Sequence, residues 1–235
     1  MRYIAHRSGA ALAAENSLAA VAAALTSEAD GIEFDVRATA DGVPVVIHDD
    51  DVARTTGGTG LVSRMPLRAV RLLSTAAGPI PTLEEFLAAA GGRIPMVAEL
   101  KMPRTPDGGV VPAVPVAEAA APLLRGVPDV TVSSFDLDAV LRARELSGAT
   151  AALTGYCVPG DHWLADRVRA HGLDECHVEQ GTLDASFVEE LHACGAAVLA
   201  WTVEDGTRAA QLAAMGVDGI FCDDPDAVRA AVAGG

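Results

Sequence analysis

Short runs rich in apolar residues recur along the chain, separated by stretches in which apolar positions return every three or four residues. The first kind predicts strands over Arg2–Ala5, Gly31–Val36, Pro44–Ile47, Ile94–Leu100, Val130–Ser133, Thr150–Leu153, Cys176–Glu179, Ala197–Val203 and Gly219–Cys222. The second predicts helices over Ser17–Leu25, Leu83–Ala90, Val114–Leu124, Leu137–Leu146, His162–His171, Ala185–Ala193, Thr207–Met215 and Asp226–Ala233. Ser17, Thr82 and Asp184 stand where N-caps belong, and Pro225 where a first-turn proline is tolerated.

Strand–helix alternation of this kind implies βα units around a parallel sheet. One pair breaks the rule: the seven residues Arg37 to Val43 cannot hold a crossover helix, so Gly31–Val36 and Pro44–Ile47 should form a hairpin about Asp41-Gly42. Setting that excursion aside leaves eight strands and eight helices in 235 residues, the count of an α/β protein built as a (β/α)8 TIM barrel with a short hairpin insertion after the second strand. One domain is expected to span residues 1–235, with the insertion at about 37–80. A doubly wound open sheet is the competing architecture, weakened because no glycine-rich phosphate loop follows the first strand. Thr55–Arg71, headed by Gly57-Gly58-Thr59-Gly60, is expected to be irregular.

Composition narrows the functional classes. With 50% apolar and 21% charged residues the chain can bury a core. Its 17 Lys and Arg against 32 Asp and Glu give a net charge of −15, which repels phosphate backbones and anionic lipid surfaces. That argues against nucleic-acid partners and stable membrane association, and an anionic substrate would need a cation at its site. The four cysteines, Cys157, Cys176, Cys194 and Cys222, contain no CxxC pair, so neither a disulfide framework nor a zinc knuckle is expected. A reducing, cytoplasmic setting follows, since Met1 to Ala5 already read as a strand and no apolar stretch is long enough for a membrane span. The oligomeric state is left open.

Candidate chemistry collects at three strand ends. Residues i and i+2 of a strand share a face, so Glu33 points with Asp35 and Glu99 with Lys101, while Ile32, Phe34 and Val36 turn toward the helices. In a barrel these are the second and third strands; His6 and Arg7 end the first, and His48 ends the hairpin strand and can fold back over them. Three carboxylates without His or Cys ligands describe a hard-cation site for Mg²⁺ or Ca²⁺. Two flanking histidines suit general acid and base work near neutrality. Arg7 and Lys101 suit phosphate oxygens, and together these parts point to metal-assisted phosphodiester chemistry. His162, His171, His177 and His192 are expected to be ordinary hydrogen-bonded histidines.

Ala5-His6-Arg7, Glu15-Asn16-Ser17-Leu18, Gly31-Ile32-Glu33-Phe34-Asp35-Val36, Asp41 through Asp49 and Arg54-Thr55-Thr56 resemble the N-terminal signature of the glycerophosphodiester phosphodiesterase family. Pro81-Thr82-Leu83, Glu99-Leu100-Lys101, Ser134-Phe135-Asp136, Ala200-Trp201-Thr202-Val203 and Gly216 through Pro225 continue the likeness. The resemblance implies a barrel of the phosphatidylinositol-phospholipase type that hydrolyses glycerophosphodiesters to glycerol 3-phosphate and an alcohol. It implies His6 and His48 as the acid/base pair, Glu33, Asp35 and Glu99 as ligands of one divalent ion, Arg7 and Lys101 on the phosphate and Trp201 in the substrate pocket. Glu15 and Asn16 would brace the site. Ser8 stands where the family carries Gly, and a side chain there would narrow the approach to the metal or tilt His6. Water or the glycerol 2-hydroxyl could be the nucleophile. Two other functions remain: a phospholipase D-like enzyme acting on lysophospholipids, or a catalytically silent module that binds phosphorylated metabolites.

Overall fold

The computed structural model describes residues 1–105, 107–156 and 162–234. Its strands are β1 (Arg2–Ala5), β2 (Gly31–Ala38), β3 (Pro44–Val46), β4 (Ser74–Thr75), β5 (Gly78–Pro79), β6 (Met96–Leu100), β7 (Val130–Ser134), β8 (Thr150–Gly155), β9 (Glu175–Glu179), β10 (Ala197–Trp201) and β11 (Gly219–Cys222). Among the described residues β1, β2 and β6 to β11 pair in parallel in that order, and β1 contacts both β2 and β11, closing a barrel of eight strands. This is the (β/α)8 TIM barrel the alternation predicts. β3 lies outside it, antiparallel to the upper end of β2, with Val36 opposite Val46. The turn between them needs Gly42, whose φ of 76° a side chain would strain.

Local signals set the helix ends. Ser17 Oγ accepts from Ala20 N, and Asp184 Oδ1 accepts from Phe187 N. Thr82 and Glu85 exchange hydrogen bonds as a capping box that starts the helix Leu83–Ala90, and Gly91 ends it. That helix buries Leu83, Phe86 and Ala90, spaced for one face, and the Phe86 ring lies 4.3 Å from the Phe34 ring. Removing the Phe86 ring would cost about 3–5 kcal/mol in lost transfer energy and cavity.

Within the barrel, Ile4, Val97, Leu199 and Phe221 form an apolar plug of their own. Each of the first three stands two residues before a residue of the next inward layer, namely His6, Glu99 and Trp201. The polar groups of the upper layer therefore sit on a dry floor rather than in a water-filled pore.

The segment after β3 departs from expectation. Thr55–Arg71 is not irregular but falls into short turns of helix, Ala53–Thr56, Val62–Arg64 and Leu67–Val70. Val45, Ile47, Val52, Val62, Val70 and Ile80 bury one another beneath them. Single turns are too short to display a 3.6-residue period, so the sequence hides them. This arm is tied to the barrel by Arg37, whose Nε donates to His48 O at 2.8 Å and Nη1 to Met102 O at 3.1 Å.

Cys194 and Cys222 are free thiols, and Cys157 lies outside the described residues. No helix among the described residues is long and apolar enough to cross a membrane.

Candidate active site

Strand geometry brings the acids together. Ile32, Phe34 and Val36 are fully buried against the helices, which turns Glu33 and Asp35 inward. Asp35 lies in register with Glu99 on β6, and carboxylate oxygens of Glu33, Asp35 and Glu99 lie within 4.8 Å of one another. Lys101 joins them from the strand end, its Nζ 2.9 Å from Asp35 Oδ1 and 2.6 Å from Glu99 Oε1. Asn16 braces Asp35 from both sides: its Nδ2 donates to Asp35 Oδ2 at 2.6 Å, and its Oδ1 accepts from Asp35 N at 3.1 Å.

The two buried acids of β2 are driven apart electrostatically. Burial and the neighbouring Asp35 charge raise Glu33 above the usual carboxylate range. Burial acts on Asp35 as well, but Lys101, His48 and the Asn16 amide outweigh it and hold Asp35 well below that range. Lys101 loses stability as a cation through burial, and the surrounding carboxylates more than restore it. Glu33 Oε1 has no hydrogen-bond partner.

The first strand ends in a left-handed turn. Arg7 and Ser8 adopt φ of 48° and 67°, and Gly9 follows at 89°, a run of positive values that costs energy for side-chain-bearing residues. Its result is that Arg7 N donates to Glu33 Oε2 at 2.8 Å. The Arg7 side chain reaches Glu15 at 3.2 Å and lies 3.9 Å from Asp35. Ser8 is fully buried and does not line the cavity above the acids, which leaves the turn that carries His6 as its route to the site.

Each proposed histidine has an aspartate behind it. His6 Nδ1 lies 2.7 Å from Asp223 Oδ1, just past β11, and His48 Nδ1 lies 2.7 Å from Asp49 Oδ1. Asp49 is held in turn by Arg54 Nε at 2.5 Å, and Arg54 forks onto both oxygens of Glu15 at 2.7 and 2.8 Å. Burial works to lower both histidines. His6 is nevertheless raised by Asp223, Glu33 and Asp35, whereas His48, facing Lys101 and Arg7 as well as Asp35, stays lowered.

These groups line one cavity of about 420 Å³ at the C-terminal ends of the strands, where barrel enzymes work. His6, Arg7, Glu33, His48, Glu99, Lys101 and Trp201 all border it; Asp35 sits just behind, 1% exposed. The eight candidates for catalysis, metal binding and substrate contact are thus brought together. The sequence reading missed Asp223 as the partner of His6, and it missed Ser133, in register with Glu99, and Thr154 and Tyr156, which also line the cavity. It also set His177 apart from the site, whereas His177 lines the cavity. The i, i+2 rule applied to β7, β8 and β9 would have found Ser133, Thr154 and His177.

Residues 6–227 match the glycerophosphoryl diester phosphodiesterase family. YhdW of Bacillus subtilis is 36% identical over 242 residues, covering 96% of each chain. A glycerophosphodiester phosphodiesterase of Caldanaerobacter subterraneus is 30% identical over 240 residues, covering 95% of this chain and 94% of its own. An Oleispira antarctica phosphodiesterase solved with sn-glycerol-3-phosphate superposes with a TM-score of 0.86 at 28% identity, covering 99% of this chain and 97% of that one. Fold, sequence match and relatives agree that the chain belongs to the glycerophosphoryl diester phosphodiesterase family and is a phosphoric diester hydrolase.

Proposed function

We propose that residues 1–235 act as one catalytic domain that hydrolyses glycerophosphodiesters to glycerol 3-phosphate and an alcohol. The observation that carries this reading is the convergence of Glu33, Asp35 and Glu99 within 4.8 Å under two aspartate-backed histidines in one cavity. The glycerol 3-phosphate complex of the Oleispira antarctica relative supports the same substrate class.

The donor set fits a divalent cation. Glu33 Oε1 is buried without a partner, and crowding with Asp35 raises Glu33, a repulsion that a cation relieves. Glu33, Asp35 and Glu99 would hold Mg²⁺ or Ca²⁺, since all donors are carboxylate oxygens. Bound there, the ion would neutralise and polarise a phosphoryl oxygen.

The remaining work falls to the chain's own groups. Arg7 and Lys101 offset the negative charge of the diester, and Trp201 covers the substrate. His48, lowered toward its neutral form, takes the proton of the nucleophile at its free Nε2. His6, raised toward its charged form, hands a proton from its Nε2 to the departing alkoxide. Asp49 and Asp223 fix which nitrogen of each ring faces inward.

The test is release of glycerol 3-phosphate from glycerophosphocholine. Chelation should abolish it, Mg²⁺ or Ca²⁺ should restore it, and Zn²⁺ should do so poorly. Full turnover by metal-stripped protein would overturn the metal assignment, and no turnover with any divalent ion would overturn the hydrolytic one.

A further inference from the structure

Glu33, Asp35 and Arg37 share the inward face of β2, with Arg37 two residues further along the strand than Asp35. Arg37 is 7% exposed and forms no ion pair among the described residues. Burial works against its charge, and Asp50, Asp35 and Asp49 favour that charge only from a distance. A guanidinium in such a place is costly unless its donors are used, so what they reach is informative.

They reach main chain on both sides of β2. The C-terminal part of this strand lies between β3 and β6. Toward β3, Ile47 N donates to Asp35 O at 3.0 Å, and His48 follows just past that rung; toward β6, Lys101 N donates to Val36 O at 3.0 Å, and Met102 follows just past that one. Arg37 Nε donates to the carbonyl of His48 at 2.8 Å and Nη1 to the carbonyl of Met102 at 3.1 Å. One side chain thus joins the segment that carries His48 to the segment that carries Lys101.

His48 needs such a fixed point, because it extends from a strand of three residues that lies outside the barrel. Asp49 orients its ring but moves with it as its chain neighbour. The chain from Asp49 through Arg54 to Glu15 does reach the barrel, yet it runs over three side chains that are each partly exposed. Arg37 makes the link in one step from a strand of the barrel, and it does not border the cavity where the diester would lie.

We infer that Arg37 is a positioning residue for the general base: by holding the His48 carbonyl it keeps that ring in place over Asp35 and Lys101, without touching substrate or metal. The inference rests on the proposed hydrolysis with His48 as base. A side chain of the same length without donors would fill the space but release the peptide of His48.

The test compares the Mg²⁺-supplemented protein with its Arg37→Met, His48→Ala and doubly substituted forms on glycerophosphocholine, each below its melting temperature. Arg37→Met should lower kcat by about 10–100-fold, the scale of a misplacement of about 1 Å, and leave KM within about threefold. In the His48→Ala background the same change should cost less than about twofold, since a residue that works through His48 then has nothing to place. Arg71→Met is the control for mere loosening of the arm: Arg71 ties it to Ile80 O and Glu85, and its loss should leave kcat within about twofold. Should Arg37→Met not fold, Arg37→Lys, which keeps the charge but presents a single nitrogen to the two carbonyls, enters the same cycle. An unchanged kcat in the single variant, or an equal loss from Arg71→Met, would overturn the positioning role. Undiminished turnover by His48→Ala would defeat the base assignment and the positioning with it, whereas diminished turnover there with losses that multiply in the double variant would defeat the positioning alone.

Discussion

His6 and His48 make the same contact, ring nitrogen to aspartate oxygen at 2.7 Å, and are shifted in opposite directions. His6 belongs to the barrel, on the strained turn after β1, and its aspartate comes from 217 positions along the chain. His48 belongs to the arm, stands on its small apolar cluster's edge, and is backed by its own neighbour. What separates them is the rest of the field. Glu33 and Asp35 pull His6 up, while burial together with the Lys101 and Arg7 charges leaves His48 low. A histidine–aspartate pair therefore does not by itself assign a catalytic role; the side of the charge cluster that each ring faces does.

The strongest way to break this comparison is to delete each ring. His6→Ala and His48→Ala should each lower kcat on glycerophosphocholine by about 10²–10⁴-fold. They should then diverge on a p-nitrophenyl diester, whose leaving group needs no proton. If His6 is the acid, its variant recovers most of the loss there while the His48 variant does not. Equal recovery would erase the distinction between them.

A smaller perturbation acts on the aspartates. Asp223 raises His6, so Asp223→Asn lowers its pKa, and the alkaline limb of the pH–rate profile, where the acid loses its proton, should move to lower pH. Asp49 also raises its histidine, so Asp49→Asn should extend activity further into acid, where the base is otherwise protonated. Each loss of plateau rate should stay below about tenfold, since the rings keep their packing. Limbs that move the opposite way would contradict the assignment of acid and base.

The smallest expected effect lies beside His6. Ser8→Gly relieves a φ of 67° and removes a buried hydroxyl without a partner, against the greater freedom of glycine in the unfolded chain. A net gain of about 0.5–1 kcal/mol should raise the melting temperature by about 1–4 °C. Since Ser8 does not border the cavity, kcat/KM should stay within about twofold. A large change in turnover would mean that the turn steers His6 more than its packing suggests.

Much of this was legible in the chain. Glu33, Asp35, Glu99 and Lys101 could be placed on inward faces because side chains of a strand alternate whatever the strand packs against. The caps at Ser17, Thr82 and Asp184 were readable for a similar reason, since a cap is completed within a few residues. The arm was misread because its turns of helix are shorter than the period that would betray them. His177 was set aside because a lone histidine on an apolar strand looks the same whether its second nitrogen meets solvent, core or cavity.

What the sequence determined by itself is therefore everything governed by short-range geometry: the alternation of strands and helices, the faces of β2 and β6, the hairpin at Gly42. Tertiary structure alone decided which charges meet. Electrostatic energy falls with distance in space and not along the chain, so the pairing of His6 with Asp223, the crowding of Glu33 against Asp35 and Glu99, and the opposite shifts of the two histidines had no local pattern to announce them. The reach of Arg37 to the carbonyls of His48 and Met102 is of the same kind. Strand pairing placed them there, because β2, β3 and β6 share a register that only the folded sheet sets.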